Sequence, residues 1–400
     1  MLVELHLIQN FAPSNLNRDD TGSPKDCEFG GYRRARISSQ CLKRAIRTAF
    51  KSDELLPEEH LAQRTKRVLD ALADRMAVQG KDKAEARAVA ELLFKGIELT
   101  VAADGKTQYL LFLGEAEIVA AVDLCLERWD ELRPLVAASV TSADGQGGAR
   151  ARGGARDAKK AGKAAVPKVI TDALRARLDG GKAADLALFG RMLADLPDRN
   201  IDAASQVAHA LSTNKVSTEF DFYTAVDDLR PEDTAGADML GTVEFNSACF
   251  YRYANVDLGQ LTKNLGGDSD LVNRTLEAFI RAAVSAIPTG KQNSMAAQNQ
   301  PSLVMAVVRE RGLWSLANAF VKPIRPADDG DLVQRSIGAL DAYWAKLAAM
   351  YGERGIRGRW VATLEDEAVV RLADARVPGV DDLIARVMAT VADERAAGAA

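Results

Sequence analysis

Residues 15–51 read NLNRDDTGSPKDCEFGGYRRARISSQCLKRAIRTAFK. The stretch predicts a polar loop, a glycine pair, a basic loop and then a helix over roughly 39–51, which Ser38 or Ser39 can cap. At about 100° per residue this helix has an apolar side and a basic side. The apolar side holds Leu42, Ile46, Ala49 and Phe50. The basic side holds Gln40, Lys43, Arg44, Arg47 and Lys51. Because a helix N-terminus also favours anions, we expect this side to meet an anionic partner.

The chain as a whole is slightly acidic, with a formal net charge of −4 over 400 residues. That balance predicts no general affinity for nucleic acid, so any such binding must depend on clustered Lys and Arg. The length allows two or more lobes. No apolar run approaches the ~20 residues of a membrane span, and neither the cysteines nor the histidines have metal-ligand spacing. We therefore expect a cytoplasmic protein with no membrane contact, no metal and no cofactor.

The rest of the chain mixes strand-like and helical patterns, which predicts an α+β fold. Apolar or alternating runs predict strands at 2–9, 185–192, 214–226, 241–254 and 302–309. Helical spacing dominates 58–130 and 270–287. The two long strands at 214–226 and 241–254 flank a turn-rich segment, so they predict a long projecting hairpin.

Residues 141–168 are rich in Gly and Ala and carry mainly basic charge, which predicts a mobile loop. The composition leaves two interpretations open, a flexible insertion and a nucleic-acid contact. Its basic side chains include Arg150, Arg152, Arg156, Lys159, Lys160 and Lys163.

Two other features also allow two interpretations each. Asp19 and Asp20 beside Arg18 could hold Mg²⁺ in a nuclease, or they could cap and ion-pair within their own loop. Aromatic and apolar residues of the hairpin, such as Phe222 and Tyr223, could stack on bases or belong to the core.

Several strings resemble one known family, in that family's order. Residues 15–20 and 29–47 resemble the N-terminus of the CasC-type backbone subunit of the type I-E CRISPR Cascade complex. The further matches are GRM (190–192), SQVAH (205–209), FYTAVDDL (222–229), GTVEFNSACFYRYANV (241–256), NLGG (264–267) and GKQ (290–292). Together they span most of the chain, so the set is far more specific than any one motif.

The resemblance implies a shape like a right hand. It implies a modified RNA-recognition-motif palm, helical fingers and a β-hairpin thumb. The palm would comprise 1–54, 181–213 and 250–400, the fingers 55–180, and the thumb 214–249. Copies of the protein would form a helical filament on the guide RNA (crRNA), and each thumb would kink the guide and flip out one nucleotide. The exposed bases would pair with target DNA in antiviral defence, beside other Cascade subunits.

The resemblance also implies an RNA-binding set and no catalytic residue. The guide-backbone contacts would be Lys25, Ser38, Gln40, Lys43, Arg44 and Arg47, with Arg18 in the same motif. Met192 would prop the guide near the kink. The thumb contacts would be Phe222, Tyr223, Thr224 and Leu240. Lys291 and Gln292 lie in a loop that faces RNA in this family. The basic stretch at 150–163 occupies the region that touches duplex DNA, although its composition departs from the family's lysine-rich pattern.

Three hypotheses of different classes follow. The first is a non-catalytic scaffold that oligomerises on a CRISPR guide. The second is an RNA endonuclease of the type III backbone kind, with Asp19 or Asp20 at its centre. The third is a protein-interaction scaffold whose basic face contacts acidic partners, which nuclease-insensitive assembly would favour.

Overall fold

The computed structural model describes residues 1–102, 104–144, 166–224, 240–328 and 331–399, which form a mixed α+β fold. The strands are β1 (Leu2–Ser14), β2 (Asp26–Phe29), β3 (Tyr32–Ile37), β4 (Ala62–Thr65), β5 (Leu111–Gly114), β6 (Ser205–Val207), β7 (Ala210–Ser212), β8 (Glu219–Thr224), β9 (Leu240–Asp257), β10 (Leu303–Arg309) and β11 (Ile356–Thr363). The α-helices are α1 (Ser39–Ser52), α2 (Val68–Val78), α3 (Lys83–Gly96), α4 (Glu115–Glu127), α5 (Trp129–Asp144), α6 (Lys168–Arg177), α7 (Ala184–Phe189), α8 (Leu258–Asn264), α9 (Ser269–Ser285), α10 (Gln292–Met295), α11 (Leu332–Tyr351) and α12 (Val380–Ala399).

A nine-stranded antiparallel sheet organises most of the strands. Its main order is β11-β10-β1-β9-β7-β3-β2, and β6 and β8 also pair with β9. The long strand β9 pairs with β8 through its first residues and with β1 through the rest. The paired strands of the predicted hairpin are therefore present, and one of them continues directly into the central sheet.

The chain divides into two compact units. The first comprises residues 1–55, 205–258 and 273–400 and contains the nine-stranded sheet. Its core includes Ile8, Met305 and Trp344, all 2% exposed or less. The second unit comprises residues 56–204 and 259–272 and is mainly helical. Its core gathers apolar side chains of α2, α3, α4 and α6. Each unit thus buries its own apolar interior.

The structure corrects two predictions of local structure. Residues 185–192, predicted as a strand, contain helix α7 instead. Five of the six α7 residues are buried, so the sequence shows neither a polar face nor an alternation, and a short apolar run fits either element. The predicted loops around the glycine pair are the hairpin β2–β3, which turns at Gly30 and Gly31, both with positive φ.

The buried side chain of Arg34 explains why the basic run forms strand β3 although its sequence does not look like a strand. Its guanidinium is buried and donates to four backbone carbonyls, those of Ser212, Thr213, Phe320 and Val321. These bonds replace the water that an arginine loses on burial. A charged side chain therefore occupies an inward position, and this hides the alternation that a strand would otherwise show.

No helix within the described ranges is both long enough and apolar enough to cross a membrane.

Buried His6 predicts acid-sensitive folding. Its Nδ1 lies 2.9 Å from the Tyr251 hydroxyl, and burial, followed by the charge of Arg309, lowers its pKa to about 3. The unfolded chain binds this proton near the ordinary pKa, so stability should fall as the pH decreases from about 6.5 towards 3. We expect the free energy of unfolding to be roughly 2 kcal/mol lower at about pH 5 than at about pH 7.

Urea unfolding at the two pH values measures this effect. The matched control is His6→Asn, which keeps a polar atom near Tyr251 but has no group that titrates. In this variant the free energy of unfolding should differ much less between the two pH values, by about 2 kcal/mol less than in the wild type. An unchanged pH dependence would show that other groups account for it.

Candidate nucleic-acid interface

Helix α1 is fixed at its N-terminus by the preceding loop. The Ser38 hydroxyl accepts a hydrogen bond from Cys41 N at 3.3 Å, and Ser38 N donates to Asn17 Oδ1 at 2.7 Å. The predicted apolar side of the helix is buried, as expected (Leu42, Ile46, Ala49 and Phe50). The Ser38 side chain is therefore a helix cap, and packing of the apolar side leaves Gln40 and Arg44 exposed on the helix.

The loop before β2 is held by its own polar groups. Asp19 Oδ1 accepts from Thr21 N at 2.9 Å, from Thr21 Oγ1 at 2.7 Å and from Ser23 N at 3.0 Å. The Thr21 hydroxyl is the main cause that lowers the pKa of the Asp19 carboxyl. In the described part of the chain, no group of three or more His, Cys, Asp or Glu side chains could hold a metal ion. Asp19 thus serves as a loop cap in this structure.

An open groove of about 830 Å³ lies beside α1. Arg18 and Arg44 line it, together with residues 285–290. A Cβ atom at Gly290 would overlap the backbone oxygen of Leu16, so only glycine lets the two segments approach this closely. Lys291 follows directly, so the loop that holds Lys291 and Gln292 lies against the loop that holds Arg18.

The amide of Gln292 is used within its own loop. Its Nε2 donates to Pro288 O and to Ala297 O, each at 3.1 Å. Lys291 adopts a left-handed conformation with φ 53°. Gln292 therefore stabilises the turn that presents Lys291.

Cations of three segments meet around the start of α1. Among the described residues, Arg18, Lys25 and Arg44 form no ion pair with a carboxylate. The charges of both Arg44 and Lys25 act on the Cys41 thiol, which places them near the same helical turn. Lys43 and Arg47 are half-buried on the same helix, and burial lowers the pKa of the Lys43 ammonium. The structure thus brings Arg18, Lys25 and Arg44 together at the start of α1, while Lys43 and Arg47 lie on the same helix.

Strand β8 is exposed along its whole length. Phe220 and Phe222 alternate onto one face and are 67% and 65% exposed, so they do not belong to the core of this chain. The ring of Tyr223 lies across Gly241, where a Cβ atom would overlap it. Thr224 pairs with Leu240 at the end of the strands, and the Leu240 side chain lies outside the described residues.

Met192 lies in the second unit and is 80% exposed. The residue before it, Arg191, is buried, and its Nη1 lies 2.8 Å from Glu117 Oε2. The backbone of Arg191 pairs with Ile201 through two hydrogen bonds of 2.9 Å. A buried ion pair and a backbone bridge therefore hold the turn that displays Met192.

Sequence reasoning missed the contact between Arg36 and His209. Arg36 Nη1 lies 3.0 Å from His209 Nδ1, although the two residues are far apart in the chain. Both residues lay within strings that matched the family, yet no local pattern connects them. The tentative DNA contacts (Arg150, Arg152, Arg156, Lys159, Lys160 and Lys163) lie outside the described residues.

Comparison with solved structures defines the class of protein. The fold is similar to a chain of a "CRISPR RNA-guided surveillance complex, pre-nicking", with 32% identity, a TM-score of 0.79, and coverage of 97% of this chain and 99% of that chain. A chain of a second "CRISPR RNA-guided surveillance complex" has 27% identity, a TM-score of 0.70 and the same coverage. No curated protein matches the chain. The protein belongs to the CT1975-like protein family, whose sequence model matches residues 3–388.

Proposed function

We propose that this protein is a backbone subunit of a type I-E Cascade complex, of the CasC type, and that it binds crRNA. One observation carries this proposal: Arg18, Lys25 and Arg44, from three segments, converge on the capped N-terminus of α1 and have no carboxylate partner among the described residues. The full-length similarity to a chain of a surveillance complex supports it.

The chemistry of the face suits a phosphodiester backbone. Arg and Lys supply charge-assisted, salt-sensitive contacts to phosphates, and the N–H groups at the helix start favour the same anions. Such contacts carry no sequence information, so one protein can hold any guide. Specificity then comes from base pairing between guide and target DNA.

The finer architecture is part of the same proposal. The sheet-containing unit would supply the RNA-recognition-type palm, the helical unit the fingers, and the β8–β9 hairpin the thumb. The exposed Phe222 is suited to contact a flipped nucleotide, because an aromatic ring stacks on any base. Several copies would line the guide as a filament in the cytoplasm, beside other Cascade subunits, and the basic stretch at 150–163 would contact duplex DNA.

We further propose that the subunit does not cut RNA. The candidates for a nuclease centre were Asp19 and Asp20, and Asp19 has its Oδ1 engaged by Thr21 and Ser23 within its own turn. Metal-dependent cleavage of RNA complementary to the guide, by an assembled complex, would contradict this assignment.

Co-expression tests the proposed function. A tagged copy is produced with a CRISPR array and its Cascade partners, sized with and without RNase, and the co-purified RNA is sequenced. We expect a large, RNase-sensitive particle that contains repeat–spacer RNA of uniform length. A small species without RNA would reject the proposal, and an RNase-insensitive particle without RNA would favour the protein-interaction scaffold.

A further inference from the structure

Arg36 is held in place by two acceptors at the edge of the nine-stranded sheet. Its Nε donates to Asp26 O at 3.2 Å, and its Nη1 lies 3.0 Å from His209 Nδ1. Arginine is always protonated, so the hydrogen bond requires His209 Nδ1 to be the acceptor. His209 is therefore neutral in this arrangement, with its proton on Nε2. The Nη2 group of Arg36 donates to no described group.

Lys25 lies directly beside Arg36. The backbone N of Arg36 donates to Lys25 O at 2.9 Å, and both side chains line a surface cavity of about 410 Å³. Lys25 has no carboxylate partner among the described residues. Two cations thus face one cavity that is large enough for a phosphate group.

The carboxylates of this cavity are largely engaged. They belong to Asp19, Asp26 and Glu244. Asp26 forms an ion pair with Arg33, and Asp19 accepts hydrogen bonds within its own turn. Glu244 is then opposed by two cations, Lys25 and Arg36. The Asp19 carboxylate keeps its charge, so the three cations and three carboxylates of the cavity balance, and protonation of His209 would make the local charge positive.

Among the described residues, the charges that shift the pKa of His209 belong to cations. Partial burial lowers its pKa, and the charges of Arg36 and then Lys25 lower it further. Helix α1 packs against β6, which precedes His209, and carries the cations Lys43 and Arg47. In the absence of an anion, partial burial and the charges of Arg36 and Lys25 favour the neutral imidazole, whereas an anion between Arg36 and Lys25 would favour the imidazolium.

We propose that Lys25, Arg36 and His209 bind one phosphodiester group of the guide, and that His209 takes up a proton from solvent as it binds. This inference rests on the proposed function and extends it to a pH-regulated contact. Protonation gives His209 an N–H at both ring nitrogens, so Nδ1 no longer accepts from Arg36. Arg36 is released towards the phosphate, and the imidazolium becomes a third donor to the same anion.

Guide affinity should therefore rise as the pH falls through the titration range of His209. Uptake of one proton gives at most about a tenfold gain in affinity per pH unit. Fluorescence anisotropy of the full-length protein with a labelled single-stranded RNA, at constant salt between about pH 8 and about pH 6, measures the slope. The phosphodiester itself does not titrate in this range.

The decisive variant is His209→Asn, which keeps a polar atom near Arg36 and cannot be protonated. We expect its RNA affinity to be independent of pH over this range. The matched control, His60→Asn, removes a histidine of the second unit and should keep the wild-type slope. Arg36→Gln provides a second variant, which should weaken binding and flatten the pH dependence. Circular dichroism checks that each variant is folded.

Two results would overturn the inference. One is a wild-type affinity that does not change with pH, and the other is a wild-type slope in folded His209→Asn. If the wild type and all variants fail to bind RNA at every pH, the proposed function itself is rejected, and this inference with it. If RNA binding is strong but independent of pH, only the role of His209 is rejected.

Discussion

Replacing Lys43, Arg44 and Arg47 with Glu should abolish guide binding and filament assembly while the protein remains folded. The three side chains lie on the basic side of α1, and none belongs to its buried side. Each substitution removes a cation and places an anion where a phosphate would lie, and such like-charge contacts cost several kcal/mol. We expect the affinity for single-stranded RNA to fall by roughly three orders of magnitude or more.

Salt titration gives this prediction a second readout. Each contact between a cation and a single-strand phosphate contributes a slope of about −0.7 to log affinity against log salt. Binding by the wild type should weaken steeply with salt, and any residual binding by the triple variant should have a slope shallower by about 2. Equal slopes would mean that these three residues do not contact phosphates.

A control with the same change in charge separates local from global electrostatics. Arg311, Lys346 and Arg354 are exposed cations of the first unit, near β10, α11 and β11. Strands β10 and β11 lie at the opposite end of the sheet order from β3, which leads into α1. Their replacement by Glu should leave most of the guide affinity intact. Equal losses in the two triple variants would show that net charge, and not the α1 face, governs binding.

Replacing Arg191 with Met should lower the stability of the helical unit by about 3–5 kcal/mol. The side chains of Arg191 and Glu117 are 1% and 0% exposed, and the Glu117 carboxylate also accepts from Gly114 N and Gly180 N at 2.7 Å. Loss of the guanidinium leaves a buried carboxylate without a counter-charge. It also removes the hydrogen bonds that Arg191 donates to the carbonyls of Leu178 and Phe112.

Urea unfolding followed by circular dichroism measures the loss. Adding Glu117→Gln to Arg191→Met removes the uncompensated charge, so the double variant should recover at least about 1 kcal/mol. The matched control is Arg177→Met, which breaks an exposed pair with Glu127 at 3.2 Å and should cost no more than about 1 kcal/mol. Similar losses for Arg191→Met and Arg177→Met would contradict the role assigned to the buried pair.

Local patterns in the sequence determined much of the site. The cap at Ser38, the apolar side of α1 and its basic side all depend on spacing within a single helix, so the sequence alone was sufficient for them. The sequence also predicted the paired strands of the hairpin and the strand at the start of the chain, because an apolar or alternating run lies within a single segment. The ordered set of matching strings pointed to a subunit of a CRISPR complex, and the whole chain is similar to a chain of such a surveillance complex and belongs to the CT1975-like protein family.

Only the tertiary structure decided what distant residues do to one another. Arg34 lies inside the fold because carbonyls from two remote segments surround its guanidinium, and the Arg36–His209 contact joins residues that no spacing relates. Helix α7 was wrongly predicted as a strand because burial of nearly all its residues removes the periodicity on which such predictions depend. Periodicity reports how one segment meets its surroundings, whereas buried charges and paired side chains depend on which segments the fold brings together.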